Sequence, residues 1–81
     1  MNQEHIPFQT KDLNLSAVLI SKDINLHATS RTDDGRTVFT FIKTEYLEVL
    51  LRDYWDHKLV IEPHKLFNSL KHLKNRIYTN Y

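Results

Sequence analysis

The chain contains one glycine, Gly35, which follows Asp34 between two stretches with strand-like patterns. In the first stretch apolar or small residues alternate with polar ones, and a period of two predicts a strand over residues 24–31 with one solvated face. Asp-Gly is among the strongest hairpin signals, because glycine tolerates a positive φ. The pattern therefore predicts a hairpin whose return strand covers residues 37–44. With Asp34-Gly35 as the loop, the predicted cross-strand pairs are Ala28 with Phe41 and Ser30 with Phe39.

Helical patterns lie on both sides of this hairpin. The first predicted helix, 11–21, has Thr10 as its N-cap and is apolar around most of its circumference, which is typical of a centrally buried helix. The second, 45–57, has Thr44 as its N-cap. The third, 63–78, begins at Pro63, where the missing N–H costs nothing. Its buried stripe is predicted to consist of Leu66, Leu70, Leu73 and Ile77.

The remaining apolar run, residues 59–61, is too short for a helix and is predicted to be a third strand at the edge of the sheet. The predicted fold is therefore α+β, with a small antiparallel sheet and three helices in two layers. At 81 residues the chain is expected to form a single domain, 1–81, in which residues 1–9 are a loosely ordered lead-in.

Composition limits where the protein acts. The chain has no cysteine, which excludes thiol catalysis and thiolate metal sites and suits a reducing, cytoplasmic compartment. We expect no membrane partner, since no apolar run is long enough to span a bilayer and no signal peptide is recognisable.

Catalytic and metal-binding patterns are weak. A single glycine excludes a glycine-rich phosphate loop. Asp53 and His57 lie one helical turn apart and His64 follows, but we interpret them as an acid–histidine pair on a solvated face, because structural zinc sites usually include cysteine. Asp33 and Asp34 are interpreted as turn residues. We therefore predict a non-enzymatic binding module with no metal and no cofactor.

Charge is distributed unevenly along the chain. Residues 45–62 have a net charge of −3 and residues 63–81 a net charge of +4, although the whole chain carries only +1. The two segments could neutralise each other, or the basic helix could bind nucleic acid weakly and in a salt-sensitive manner. In that case lysine and arginine would contact phosphates and an exposed tyrosine would stack on a base. The predicted residues are Lys65, Lys71, Lys74, Arg76 and Tyr78.

The cationic residues flank the apolar stripe of the third helix on both sides, which argues against one continuous basic stripe. The alternative hypothesis is a protein-interaction module or homodimer, because partly exposed aromatic residues often mark contact surfaces. Its predicted interface residues are Tyr46, Val49 and Trp55 of the second helix. The edge strand 59–61 could also pair with another chain.

Several stretches resemble a family of short bacterial and phage domains of about this length whose function is unknown. The resemblance covers nearly the whole chain, and it implies the same fold and a phage or mobile-element context, without an activity. One departure is Lys22-Asp23, where such domains often have glycine after the first helix. The matching stretches are Thr10-Lys11-Asp12-Leu13, Val38-Phe39-Thr40-Phe41, Asp53-Tyr54-Trp55, Glu62-Pro63 and Leu70-Lys71-His72-Leu73-Lys74-Asn75-Arg76-Ile77-Tyr78.

Overall fold

The computed structural model describes residues 6–79, and within them lie three strands and three helices. The α+β class predicted from the sequence is confirmed. In chain order the elements are β1 (Pro7–Thr10), α1 (Leu13–Ser21), β2 (Leu26–Arg31), β3 (Thr37–Ile42), α2 (Glu45–Trp55) and α3 (Pro63–Thr79).

The sheet has the order β1-β3-β2, with β3 antiparallel to both neighbours. Its third strand is therefore the N-terminal β1, and the prediction of an edge strand at 59–61 is wrong. Strand β1 fills the second edge of β3: Phe8 lies opposite Phe41, and its side chain packs against the core. Residues 59–61 are irregular instead, with Leu59 against the core and Val60 exposed.

The predicted lead-in, residues 1–9, is corrected in part. Residues 7–9 belong to β1, whereas residues 1–5 lie outside the described part of the chain. Pro7 is tolerated because β1 is an edge strand. In such a strand every second backbone N–H points away from the neighbouring strand, so a proline there removes no hydrogen bond of the sheet. The single-domain prediction is not tested by these observations and stays a prediction.

The hairpin between β2 and β3 has a three-residue loop, not the predicted two-residue loop. Thr32 N donates to Arg36 O at 2.8 Å, and Gly35 N donates to Thr32 O at 2.9 Å. Gly35 has a φ of 85°, as the bulge position of such a loop requires. The single glycine therefore lies in the turn, as predicted, but as the third residue of the loop and not the second.

This loop shifts the register of the hairpin by one residue relative to the prediction. Ala28 lies opposite Thr40 and Ser30 opposite Val38, so both predicted pairs are wrong. A one-residue shift moves side chains to the other face of a sheet. The core face is completed instead by Thr29 opposite Phe39 and, beyond an irregularity between residues 26 and 28, by Leu26 opposite Phe41.

Helix α1 is capped by Asp12, not by Thr10 as predicted. The Asp12 carboxylate accepts a hydrogen bond from Leu15 N at 3.1 Å, while Thr10 closes β1 and its hydroxyl accepts from Asp12 N at 3.1 Å. The helix is buried from Leu15 to Leu19, which agrees with the central position expected for a helix that is apolar on most sides.

Both α1 and α2 end in a Schellman motif with a residue other than glycine in the left-handed conformation. At the end of α1, Ile24 N donates to Leu19 O at 3.0 Å, and Asp23 has a φ of 67°. At the end of α2, His57 has a φ of 60°, so this helix stops at Trp55, two residues before the predicted end. Asp23 is thus the residue of the Lys22-Asp23 pair that takes the left-handed conformation.

The N-termini of α2 and α3 agree with the sequence. Thr44 accepts a hydrogen bond from Leu47 N at 3.0 Å, and α3 begins at Pro63. Just before Pro63, the Glu62 carboxylate accepts from Lys65 N at 2.8 Å, which lowers the pKa of Glu62. Helix α3 then continues to Thr79, one residue beyond the prediction.

One core joins the three helices to the β3 face that carries Phe39 and Phe41. The predicted stripe of α3 is directed toward this core, with Leu73 fully buried and the other three residues partly buried. The residues opposite the stripe consequently face solvent. None of the helices among residues 6–79 is sufficiently long and apolar to cross a membrane.

Candidate nucleic-acid interface on helix α3

Helix α3 presents two separate flanks to solvent, one on each side of its buried stripe. At about 100° per residue, Phe67, Lys71, Lys74 and Tyr78 fall within an arc of about 60° and extend over about 16 Å of helix. We call these four residues the aromatic–lysine flank. On the other side, Lys65, Ser69, His72 and Arg76 fall within a second arc of about 60°. We call these four residues the α1-side flank.

The aromatic–lysine flank is open to solvent. The side chains of Phe67 and Tyr78 are 62% and 76% exposed, and both lysines are exposed as well. The four residues line a shallow groove of about 430 Å³ together with Leu70 and Asn75. Leu70 provides an apolar floor, so two rings and two ammonium groups border one concave surface.

The predicted nucleic-acid residues are divided between the two flanks. Lys71, Lys74 and Tyr78 lie together, whereas Lys65 and Arg76 belong to the α1-side flank. A single strand lying along one flank cannot contact all five residues. Arg76 also lies in the last turn of α3, where a cation interacts favourably with the helix dipole. Helical spacing predicted this division, but the predicted site did not include Phe67 and Asn75, which also line the groove.

The acidic residues of α2 do not neutralise α3. Glu48 forms its ion pair with Lys43, at 3.5 Å, at the start of α2. Among residues 6–79, no ion pair links a carboxylate of α2 to Lys65, Lys71, Lys74 or Arg76. The cations of α3 are therefore not paired with α2, although Lys65 interacts electrostatically with Glu62, just before α3.

The residues predicted for the alternative protein interface do not form one patch. Tyr46 and Trp55 are nine positions apart, which places them about 180° apart around α2. The Tyr46 hydroxyl donates to Lys22 O at 3.1 Å and so links α2 to the end of α1. Trp55 is 64% exposed and contacts Tyr54 edge to face, with 5.0 Å between ring centroids. Val49 is also exposed.

Two of the titratable residues considered for catalysis or metal binding, His64 and Asp34, make contacts with residues nearby in the chain. His64 Nδ1 lies 3.0 Å from Glu62 Oε1, at the start of α3. Asp34 accepts hydrogen bonds from the Thr32 hydroxyl and from Arg36 N, and the Thr32 contact is the main cause of its lowered pKa. Within the described segment, 6–79, no three His, Cys, Asp or Glu side chains are grouped closely enough to bind a metal ion.

Comparison with known proteins gives a family but no activity. No curated protein and no solved structure matches the chain. A family model described as a domain of unknown function, DUF5659, matches residues 6–79, which is the whole segment from β1 to the last turn of α3. The chain therefore belongs to the DUF5659 family of domains of unknown function.

Proposed function

We propose that this protein is a non-enzymatic module that binds single-stranded nucleic acid through the aromatic–lysine flank of α3. The observation that carries the proposal is the groove in which Phe67 and Tyr78 expose their rings on the same arc as Lys71 and Lys74. Binding of single strands without sequence preference uses this combination of stacking rings and a cationic surface.

Each group in the groove has a separate task. The rings of Phe67 and Tyr78 would stack on unpaired bases, and each stacked base contributes about 1–3 kcal/mol to binding. The ammonium groups of Lys71 and Lys74 would contact phosphates. A single strand suits this flank better than a duplex, since the bases of a duplex are already stacked and their faces cannot reach the two rings.

The number of lysines on the flank sets the expected salt dependence. For single strands the logarithm of the affinity changes with the logarithm of salt concentration with a slope of about −0.7 per phosphate neutralised. Two lysines therefore predict a slope of about −1.4, whereas contacts from all four cations of α3 would give about −2.8. The slope distinguishes binding by one flank from binding by the whole helix.

The test is fluorescence polarisation with a labelled single-stranded oligonucleotide across a salt series. The variant Lys71→Ala/Lys74→Ala should lose most of the binding, and its residual binding should hardly depend on salt. The matched control is Lys11→Ala/Lys58→Ala, which removes the same charge from exposed positions outside α3. The control should bind as the unmodified protein does.

Two outcomes contradict the proposal. One is absence of binding to any single-stranded probe at low salt. The other is equal loss of binding in the α3 variant and in the control, because a response to net charge alone would not require the flank.

The cellular setting belongs to the same proposal. A cytoplasmic location suits a chain without cysteine. A phage or mobile-element context follows only from the resemblance described above, and single strands are intermediates whenever such elements are copied or transferred.

A second candidate function, protein–protein interaction, is favoured by the exposure of Trp55. This indole is the largest exposed ring of α2, and tryptophan is enriched among residues that dominate interface energies. Its partner could be a second copy of the chain, which light scattering over a concentration series would detect. A dimer that dissociates on Trp55→Ala, but not on Tyr46→Phe, would support this function, and a strict monomer would leave only other proteins as partners.

A further inference from the structure

The α1-side flank of α3 borders a cleft that the proposed function does not use. The cleft has a volume of about 510 Å³ and lies between the end of α1, residues 23–26 and the second half of α3. Ile20, Ile24, Leu26 and Leu73 give it an aliphatic lining. Its size lies within the usual range for small-molecule sites, which combine an apolar lining with a few convergent polar groups.

A serine on the wall of this cleft has unused hydrogen-bonding capacity. Ser69 is only 9% exposed, and it lines both this cleft and an adjoining one of about 260 Å³. Within residues 6–79 no buried polar side-chain atom lacks a hydrogen-bond partner, and no partner is found there for the Ser69 hydroxyl. The Ser69 hydroxyl is therefore open to the cleft, where a bound molecule can form a hydrogen bond with it.

Two opposite charges line the same cleft without pairing. Asp23 follows α1 and Arg76 lies on α3, and both line the cleft, yet they do not form an ion pair with each other among the described residues. The C-terminal end of α1, next to Asp23, adds the negative pole of a helix dipole. One side of the cleft therefore favours a cation, and the other side favours an anion.

We propose that this cleft binds a small zwitterion with an apolar side chain, such as an aliphatic α-amino acid. The ligand's carboxylate would pair with the Arg76 guanidinium, whose planar fork matches a carboxylate. Its ammonium group would lie near Asp23 and the last carbonyls of α1, and its side chain would lie against Ile24 and Leu73. Ser69 would donate to, or accept from, the polar end of the ligand.

The experiment is a titration of the ¹⁵N-labelled protein followed by amide chemical shifts, with L-leucine as the probe. L-leucinamide, which lacks the carboxylate, and N-acetyl-L-leucine, which lacks the ammonium group, are the matched ligands. Leucine should shift the amides around Ser69 and Leu73 and should bind at least tenfold more tightly than either analogue.

Two protein variants are tested with the same three ligands, so that loss of a charge on the protein can be compared with loss of the matching charge on the ligand. Arg76→Gln should weaken leucine at least tenfold and leave leucinamide unchanged. Asp23→Asn should weaken leucine and leave N-acetyl-leucine unchanged, and asparagine keeps the left-handed conformation that position 23 requires. Lys71→Ala/Lys74→Ala should bind leucine normally, so a failure here is distinct from a failure of the nucleic-acid proposal.

Three results would overturn the proposal. The first is absence of shifts around Ser69 up to the solubility limit of leucine. The second is tighter binding of N-acetyl-leucine than of leucine, which would indicate a plain anion site. The third is leucine binding that neither variant weakens, which would indicate nonspecific apolar contact.

Discussion

The two flanks of α3 carry equal numbers of Lys and Arg residues but have different surroundings. Lys71 and Lys74 stand beside two exposed rings on an open groove. Lys65 and Arg76 border clefts against α1, where Asp23 supplies an opposite charge. The comparison teaches that the cation count of a helix does not define a site. Neighbouring elements decide whether a cation borders an open groove with exposed rings or a cleft that also contains an opposite charge.

The largest effect is expected from a substitution in the buried stripe of α3, which lies between the two flanks. Leu73 is fully buried between them, and Leu73→Ala should lower the free energy of unfolding by about 2–5 kcal/mol through lost burial and a cavity. Such a loss would abolish both proposed binding activities. Urea denaturation measures it, with the exposed Asn68→Ala as a control that should change stability by no more than about 0.5 kcal/mol. Retained stability in Leu73→Ala would show that the stripe does not hold α3 in place.

The second prediction tests the two exposed rings of the aromatic–lysine flank. Phe67→Ala and Tyr78→Ala should each weaken single-strand binding by about 1–3 kcal/mol, because one stacked base is lost, and should leave the salt slope unchanged. Polarisation measures the binding, and thermal unfolding should show nearly wild-type stability since both rings are exposed. Binding of leucine should be unaffected. If Tyr78→Ala changed the salt slope but not the affinity at low salt, stacking would be the wrong description.

The third prediction concerns Asp23, which lies in the cleft beside the α1-side flank. It separates the effect of the left-handed backbone at this position from the effect of the carboxylate. Asp23→Gly should raise the free energy of unfolding by about 0.5–1 kcal/mol, because glycine adopts a positive φ without the cost that Cβ imposes. The same variant should lose leucine binding, whereas nucleic-acid binding should persist. His57→Gly provides the control at the end of α2, where the same gain in stability is expected without any effect on leucine. A destabilised Asp23→Gly protein would mean that its carboxylate contributes more than the backbone strain costs.

The smallest expected effect concerns the start of α3, which both flanks share. The folded-state pKa of Glu62 is lowered, first by the Lys65 N–H, so ionised Glu62 stabilises the fold above the unfolded-state pKa. This contribution is lost as pH falls through the lowered folded-state pKa. Glu62→Gln should therefore reduce the pH dependence of stability in the acidic range, from the ordinary glutamate pKa downward. Urea unfolding at neutral and acidic pH measures this difference, and identical pH profiles would contradict it.

Local patterns predicted much of the fold and part of the site. The leucine stripe of α3, the Thr44 cap and the glycine turn follow from spacing and capping chemistry, and all three are present. The Asp12 cap was missed because Thr10 and Asp12 are both good caps, and pairing in β1 draws Thr10 into the sheet. The cleft was missed because its polar groups come from separate segments.

The sequence by itself determined which faces of α3 are polar and apolar, and hence its two cationic flanks, because helical periodicity is a local property. Only the tertiary structure decided that β1, and not residues 59–61, fills the free edge of β3. It also decided that Asp23 and Arg76 line one cleft. Strand pairing and the meeting of distant side chains depend on contacts between residues far apart in the chain, and no local period encodes them.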